Sequence, residues 1–476
     1  MENLIGLFIA ITVTAGVAYL IAKKAYAAAV LMGAGLILLV CSTYLGIGPG
    51  MSAKTLGLKK GQATFTGTYF FDIFRLVERI MSSNISGLGL SIMAMGGFAR
   101  YMDKLHAGHA LYAVVGGPLK YIKSPYLLAC MGFVVTQMVG MAIPSAAGLG
   151  LMLMVTLYPV LIRAGVSRMT SVCIIGASRF FDLGPGSANC LLVAKIANIE
   201  WAEYFFKWQM AIYPALLASM LVSLYFTHKY WDAKEGPDPE AETLRRQFAE
   251  EAAKPEAGAP RIYALLPIVP LIILLIFNKH VSVMLFDKAI SIGVPACIVL
   301  SVFISMGFEF VRNRNINACL GDMKVFFEGM GKQFAVVVSL IIGGQVFGQG
   351  LIAIGAVDVL IQGAQGAGLG IGFMVVVMCL VIGVVAFLMG SGNAPFFSFA
   401  ELVPKIASDM GVNMLAILLP LQTMTGFGRT MSPVTGAIVA VAGIANVSPF
   451  QIAKRNFIPL LITTIVHFII LFMFIL

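Results

Sequence analysis

Four ionisable side chains, Arg179, Asp182, Lys195 and Arg429, stand inside stretches that otherwise read as membrane. An unpaired charge at bilayer depth costs about 3 kcal/mol or more, so such residues are functional candidates by default. The first three lie in GASRFFDLGPGSANCLLVAKIANI (176–199) and the fourth in TGFGRTMSPVTG (425–436). Both stretches contain a break. Gly184-Pro185-Gly186 interrupts the first, because proline removes a backbone donor and glycine relaxes φ, and Ser432-Pro433 interrupts the second. A guanidinium is a planar fork that matches a carboxylate. Arg429 is therefore the leading candidate for gripping an anion with carboxylates, the alternative being an arginine that caps nearby carbonyls. Ser187, Thr430, Ser432 and Thr435 flank the breaks as further contacts. Asp182 shares a helix face with Arg179, so an internal ion pair is the plain reading and carriage of a coupling proton or sodium the sharper one. Asn198 and Asn446 are ion-coupling candidates too, unless they only end helices. Lys195 is expected to snorkel to the outer surface.

Two small-polar clusters could complete such a site: PSAAGLG (144–150) and GSGNAPF (390–396). Each sits between two apolar segments, 125–143 and 151–162 in one case, 371–389 and 396–408 in the other. That pattern reads as a re-entrant hairpin whose tip stops within the membrane. Ser145, Ser391 and Asn393 could donate hydrogen bonds there. Helix ends exposed at tips and breaks carry partial positive charge at their N-termini. Directed at one midplane volume, they would make the kind of site that secondary transporters use for anions.

These pieces need a membrane framework, and the composition supplies one. Of the 476 residues, 59% are hydrophobic and only 11% charged, with a mean hydropathy of +0.93. A soluble domain carries roughly 25% charged residues. Apolar runs near the ~20 residues that cross a bilayer recur at 3–22, 27–47, 203–227, 262–278, 289–308, 371–390 and 456–476. An all-α polytopic membrane protein is expected. Residues 3–22 read as its first span, since Lys23-Lys24 follows them rather than a small-residue cleavage site. The seven cysteines form no CxxC pair and need no disulfide or metal role. A net charge of +10 would suggest nucleic acid in a soluble protein; here basic cytoplasmic loops account for it, and no nucleic-acid partner is expected. Neither HExxH nor GxSxG occurs, which argues against a membrane-embedded enzyme. A channel fits hairpins and repeats less well than alternating access does.

The polar stretch 228–261 divides the chain and holds eight of its 22 acidic residues. It reads as a linker with a helical piece around 239–253. The flanking parts, 1–227 and 262–476, resemble each other. At an offset of 248, PGSANCLLVAKIANI (185–199) and PVTGAIVAVAGIANV (433–447) share six identities in fifteen positions. Each part also offers two long spans, an amphipathic stretch (70–80 or 321–333), a Gly-rich span, a hairpin, a broken span and a last long span. That makes five crossings per part, an odd number, so the second repeat must be inverted. With the N-terminus outside, twenty of the 32 Lys and Arg fall in inside loops and nine outside. Both termini are then periplasmic and the linker cytoplasmic.

GSGNAPFFSFAELVPKIA (390–407), GRTMSPVTGAIVAVAGIANVSPFQIAKR (428–455), SPYLLA (124–129) and AAGLGLMLMVTLYPV (146–160) resemble the DcuC family of anaerobic C4-dicarboxylate carriers, within the ion transporter superfamily. The resemblance implies a secondary carrier of succinate, fumarate or malate in a bacterial inner membrane, working by exchange or symport, with succinate efflux in fermenting cells. It also implies a homodimer with a scaffold and an elevator-type transport domain. Another organic anion, or ion–proton antiport on the same fold, is the alternative. Carried over residue by residue, the contacts are Ser145, Ala146, Ala147 and Gly148 at the first tip, Ser391, Gly392 and Asn393 at the second, and Arg429, Thr430, Ser432 and Pro433 at the second break. The tips read Ser-Ala-Ala and Ser-Gly-Asn where the sodium-coupled branch has Ser-Asn-Thr. No cofactor or metal is implied beyond a coupling H+ or Na+.

Overall fold

The computed structural model describes the chain except residues 1, 24, 52–63, 109, 112–123, 144–145, 237–238, 253–259, 278–281, 283–284, 289, 291, 360–361, 363–369 and 475–476. Every regular element among the described residues is helical. The chain is a multi-pass membrane protein; among the described residues, seven helices are long and apolar enough to cross a bilayer. A bent pair, Ala146–Met154 and Thr156–Arg163, meets at 44° and passes the same test as one unit.

The order of elements repeats. The first part runs α1 (Glu2–Ala22), α2 (Ala27–Leu45), α3 (Tyr69–Asn84), a π-helical turn Ile85–Gly89, and α4 (Leu90–Lys104). The hairpin arms α5 (Pro125–Ala142) and α6 (Ala146–Arg163) follow, then the broken span α7 (Arg168–Gly176) and α8 (Ala188–Ala197), and the long α9 (Met210–Glu235). After α10 (Pro239–Ala252), a 3-10 stretch Arg261–Ile268 leads into α11 (Val269–Ile276) and then α12 (Val294–Asn313). Next come α13 (Ile316–Gln333), a further π-helical turn Phe334–Val338, and α14 (Ser339–Ala353). The second hairpin is α15 (Ile371–Met389) with α16 (Asn393–Ala400) and α17 (Val403–Met410); the second broken span is α18 (Met414–Met431) with α19 (Gly436–Ala445), and α20 (Pro449–Phe474) closes the chain.

Local chemistry explains the matching pieces. Both α8 and α19 are ten residues long and end on an asparagine in the left-handed region, Asn198 at φ 54° and Asn446 at φ 51°. Asparagine tolerates that conformation better than most L-residues, so each stops its helix cleanly. The two parts then interlock through glycine faces. A Cβ on Gly35 of α2 would lie 2.6 Å from the backbone of Phe347 on α14, and one on Gly97 of α4 would lie 2.6 Å from the Phe326 carbonyl on α13. Only glycine lets those backbones approach so closely. One extensive apolar core joins α2 and α14 to both hairpins and both broken spans; a second cluster lies among α4, α11, α12 and α13.

Helix α9 continues through 228 to Glu235, so a linker starting at 228 would cut a helix, and His228 is buried. Arg455 of α20 holds this end in place, pairing with Asp232 and Glu235 at 2.6 Å each. The helical piece within the linker is α10, which packs on hairpin arm α6 through Phe248 against Tyr158 and Arg245 Nε donating to the Ile162 carbonyl at 3.1 Å.

Candidate functional site

A helix broken inside an apolar core must find partners for its freed backbone groups, each worth several kcal/mol if stranded. The break at 177–187 finds them in glutamines and arginines. Gln137 of α5 donates to the Ala177 carbonyl at 3.0 Å and accepts from the Phe181 N–H at 3.4 Å. Gln422 of α18 donates to the Asp182 carbonyl at 3.1 Å. Gln422 is itself held by Tyr204 Oη at 3.0 Å and Gln209 Nε2 at 3.1 Å. Asp182 has φ 51° and Gly184 φ 76°, so the chain turns through left-handed backbone that aspartate adopts at some cost. Phe180 stacks on Phe427 at 4.4 Å between ring centres, locking the first break to α18. A Cβ on Gly426 would collide with the Phe180 carbonyl, so glycine is required there.

The charged groups meet on this frame. Arg179 Nη2 pairs with Asp182 Oδ1 at 2.7 Å, and Arg429 Nη2 approaches the same oxygen at 3.4 Å. Asn189 Nδ2 donates to Asp182 Oδ2 at 2.7 Å and lies 3.3 Å from both Asn393 Oδ1 and Thr425 Oγ1. One carboxylate thus answers two guanidiniums and an amide, leaving a net single positive charge. Arg179 also donates through Nη1 to the carbonyls of Gly140 and Ile143, at the C-terminal end of hairpin arm α5. There a cation complements both orphan carbonyls and the helix dipole. Arg429 Nη2 donates to the Arg179 carbonyl at 2.6 Å, and its remaining N–H groups have no partner among the described residues. Beside them lies a cavity of about 60 Å³, bordered by Arg179, Asp182, Asn189, Asn393, Arg429 and Gln333, with Met95 and Val337 on its apolar side. The first residues of α8 and α16, Ala188 and Asn393, both border it, so two helix N-termini face the same space.

The expected residues divide accordingly. Arg429, Asp182 and Asn393 come together at the cavity. Ser187 serves as N-cap of α8, accepting from the Cys190 N–H at 3.2 Å, and Ser432 accepts from the Val434 N–H at 3.3 Å. Thr435 donates to the Arg429 carbonyl. Gly392 fits against the Thr425 carbonyl, where a Cβ would come within 2.5 Å. Ser391 is half-buried at the tip, Thr430 is buried, and Pro433 occupies the second break between α18 and α19. Ser145 lies outside the described residues, while Ala146, Ala147 and Gly148 open α6 and are not among the residues described at the cavity.

Asn198 and Asn446 stand apart from the charged cluster. Both are exposed helix ends, capping α8 and α19, and neither borders the cavity with Asp182. Lys195 is exposed, and its Nζ donates to Asn84 Oδ1 at 3.0 Å. Asn189, Gln137, Gln422, Thr425 and Gln333 escaped the sequence reading. The available signal was the rarity of amides in apolar spans, which says they have partners without saying which.

The comparisons with known proteins agree with this architecture. The family model for DcuC, described as C4-dicarboxylate anaerobic carrier, matches residues 3–476. The anaerobic C4-dicarboxylate transporter DcuC of Escherichia coli (strain K12) is 33% identical over 466 residues, covering 98% of this chain and 96% of that protein. A Vibrio cholerae relative is 33% identical over 464 residues, covering 97% and 95% of the two chains. Among solved structures, the Alcanivorax borkumensis YdaH transporter, described as having an unusual topology, superposes with a TM-score of 0.55 at 13% identity over 94% of this chain and 98% of that one. That likeness speaks for the fold alone. A match over nearly the whole length, joined to relatives a third identical, assigns the chain to the DcuC family of C4-dicarboxylate anaerobic carriers.

Proposed function

We propose that this protein is a secondary carrier of C4-dicarboxylates such as succinate, fumarate and malate, moving them by exchange or ion-coupled symport. The observation that carries the reading is the unspent part of Arg429 beside a cavity whose three charged side chains, Arg179, Asp182 and Arg429, sum to one positive charge. One substrate carboxylate neutralises that charge, and the N-termini of α8 and α16 favour negative charge in the same space. The names of the DcuC relatives support a four-carbon diacid as the cargo. By the measure in which one water takes about 10–15 Å³, a cavity of about 60 Å³ admits a carboxylate end but not a whole C4 chain. The cavity must therefore widen during transport, as alternating access requires.

In this reading the two recurring sets of elements are inverted repeats, and the hairpins with their broken spans move as an elevator against the remaining helices. The protein is then an inner-membrane homodimer with periplasmic termini and a cytoplasmic linker, and it exports succinate in anaerobic cells. Neither Ser-Ala-Ala nor Ser-Gly-Asn at the tips favours sodium.

The test is counterflow. Purified protein in liposomes loaded with succinate should take up labelled succinate from outside without any sodium gradient. Absence of exchange in every ionic condition would defeat the assignment of substrate, and strict sodium dependence would defeat sodium-free exchange.

A further inference from the structure

A second polar chain lies away from the arginine cavity. The Lys195 ammonium on α8 donates to Asn84 Oδ1 at 3.0 Å. Asn84, the last residue of α3, donates through Nδ2 to Gln345 Oε1 of α14 at 2.5 Å and to the Ile80 carbonyl at 2.7 Å. Gln345 Nε2 then donates to Glu401 Oε2 at 3.1 Å, in the turn between α16 and α17. An ammonium can only donate and an ionised carboxylate can only accept. The two ends therefore orient both amides in one direction, from cation to anion, and polarise the chain. Two of its members come from the hairpin and broken-span elements, Lys195 and Glu401. The other two, Asn84 and Gln345, belong to the long helices beside them.

Glu401 itself is poorly neutralised. Its only described hydrogen bond is to a neutral amide, and it makes no ion pair among the described residues. Among the described residues, Lys195 is the charged group that acts on it through space, and Glu401 the one that acts on Lys195. Lys405, one helical turn on, is committed to Asp358 at 2.6 Å. From α14, Gly348 presents only backbone, and a Cβ there would sit 3.1 Å from the Glu401 Cβ. Asp182 offers the contrast: it is clamped by two guanidiniums and an amide, and protonating it would strand both arginines.

We propose that Glu401 binds and releases the coupling proton of transport, with Lys195, acting through Asn84 and Gln345, favouring its ionised form. Resting on the carrier reading above, the assignment adds a proton site that is separate from the substrate cavity. Separation of α8 and the α16–α17 turn from α3 and α14 breaks the two outer hydrogen bonds and leaves Glu401 to take a proton from water. Restoring the chain favours its release. The nearby positive charge on Lys195 argues for a proton rather than a metal cation at this carboxylate.

The experiment uses full-length protein in liposomes containing a trapped pH-sensitive dye, with succinate as the probe. A succinate gradient should drive proton movement in the wild type. Glu401→Gln should abolish that movement while succinate counterflow continues. Lys195→Gln keeps a donor for Asn84 but removes the charge, so the pH midpoint of proton-linked transport should move upward, because a neighbouring cation favours the ionised carboxylate. Wild-type protein that exchanges succinate but moves no protons would overturn the proposal, and so would unchanged proton coupling in Glu401→Gln. If that variant is wholly inactive, an unmoved midpoint in Lys195→Gln overturns it instead. Failure of wild-type counterflow would reject the carrier reading itself, on which the proton site depends.

Discussion

Replacing Arg429 with lysine separates grip from charge. In the protein, Arg429 Nη2 is occupied by the Arg179 carbonyl at 2.6 Å and by Asp182 at 3.4 Å. A lysine ammonium at the same place keeps the attraction to Asp182, whose gross size at 3.4 Å is about 5 kcal/mol for an effective dielectric constant near 20. What it lacks is a second, coplanar donor for a substrate oxygen. Losing one charge-assisted hydrogen bond costs about 1.5–3 kcal/mol. At about 1.4 kcal/mol per decade, that is roughly a 10- to 150-fold weaker apparent affinity for succinate. The assay is the concentration dependence of counterflow at matched protein density, with thermal unfolding in detergent as the control for folding. Unchanged apparent affinity in Arg429→Lys would refute the reasoning. Arg429 would then be an arginine that only ties the second break to the Arg179 carbonyl.

Three further outcomes follow from the same geometry. Asp182→Asn should destabilise the protein by about 3–5 kcal/mol because it leaves two guanidiniums without a counter-charge. Arg179→Met should cost less, since Arg429 and Asn189 still hold Asp182. The two should couple by about 1–3 kcal/mol, and additivity in unfolding measurements would remove the pair. Gly426→Ala places a methyl group against the Phe180 carbonyl, a backbone atom that cannot step aside. Overpacking of about 1–3 kcal/mol and a displaced break should lower both thermal stability and transport, and normal transport would show that the break has slack. Arg455→Met should cost about 3 kcal/mol by stranding the largely buried Asp232, read as a lower unfolding temperature; Ser167 and Thr170 still serve Asp232 and limit the loss. An unchanged temperature would make that pairing incidental.

Much of the architecture could be read from the residues. Apolar runs of bilayer length can hardly be anything but spans, and Gly-Pro-Gly or Ser-Pro cannot continue a helix, whatever packs around them. The repeated PGSANCLLVAKIANI and PVTGAIVAVAGIANV segments have matching helices because the same local rules act twice: a break residue starts each one, and a left-handed asparagine ends it. That same rule places Asn198 and Asn446 at helix ends. Helix α9 runs past 228 to Glu235, where Arg455, 220 residues further on, pairs with its last turn.

The site itself was decided by tertiary structure. Sequence alone singled out Arg179, Asp182 and Arg429, because charge in an apolar span is costly enough to require an explanation. It could not say that one aspartate serves both arginines, since Arg429 lies 247 residues from Asp182 and no local rule spans that distance. Nor could it separate the two arginines by role, one largely spent on hairpin carbonyls and the other with donors left for a ligand. Amides such as Asn189, Gln137 and Gln422 are legible only as rarities in an apolar span. What each one satisfies depends on which carbonyl or carboxylate oxygen the fold brings within hydrogen-bond reach of it. Local chemistry determined where the helices break; only the packing of the two halves determined which side chains meet at the breaks.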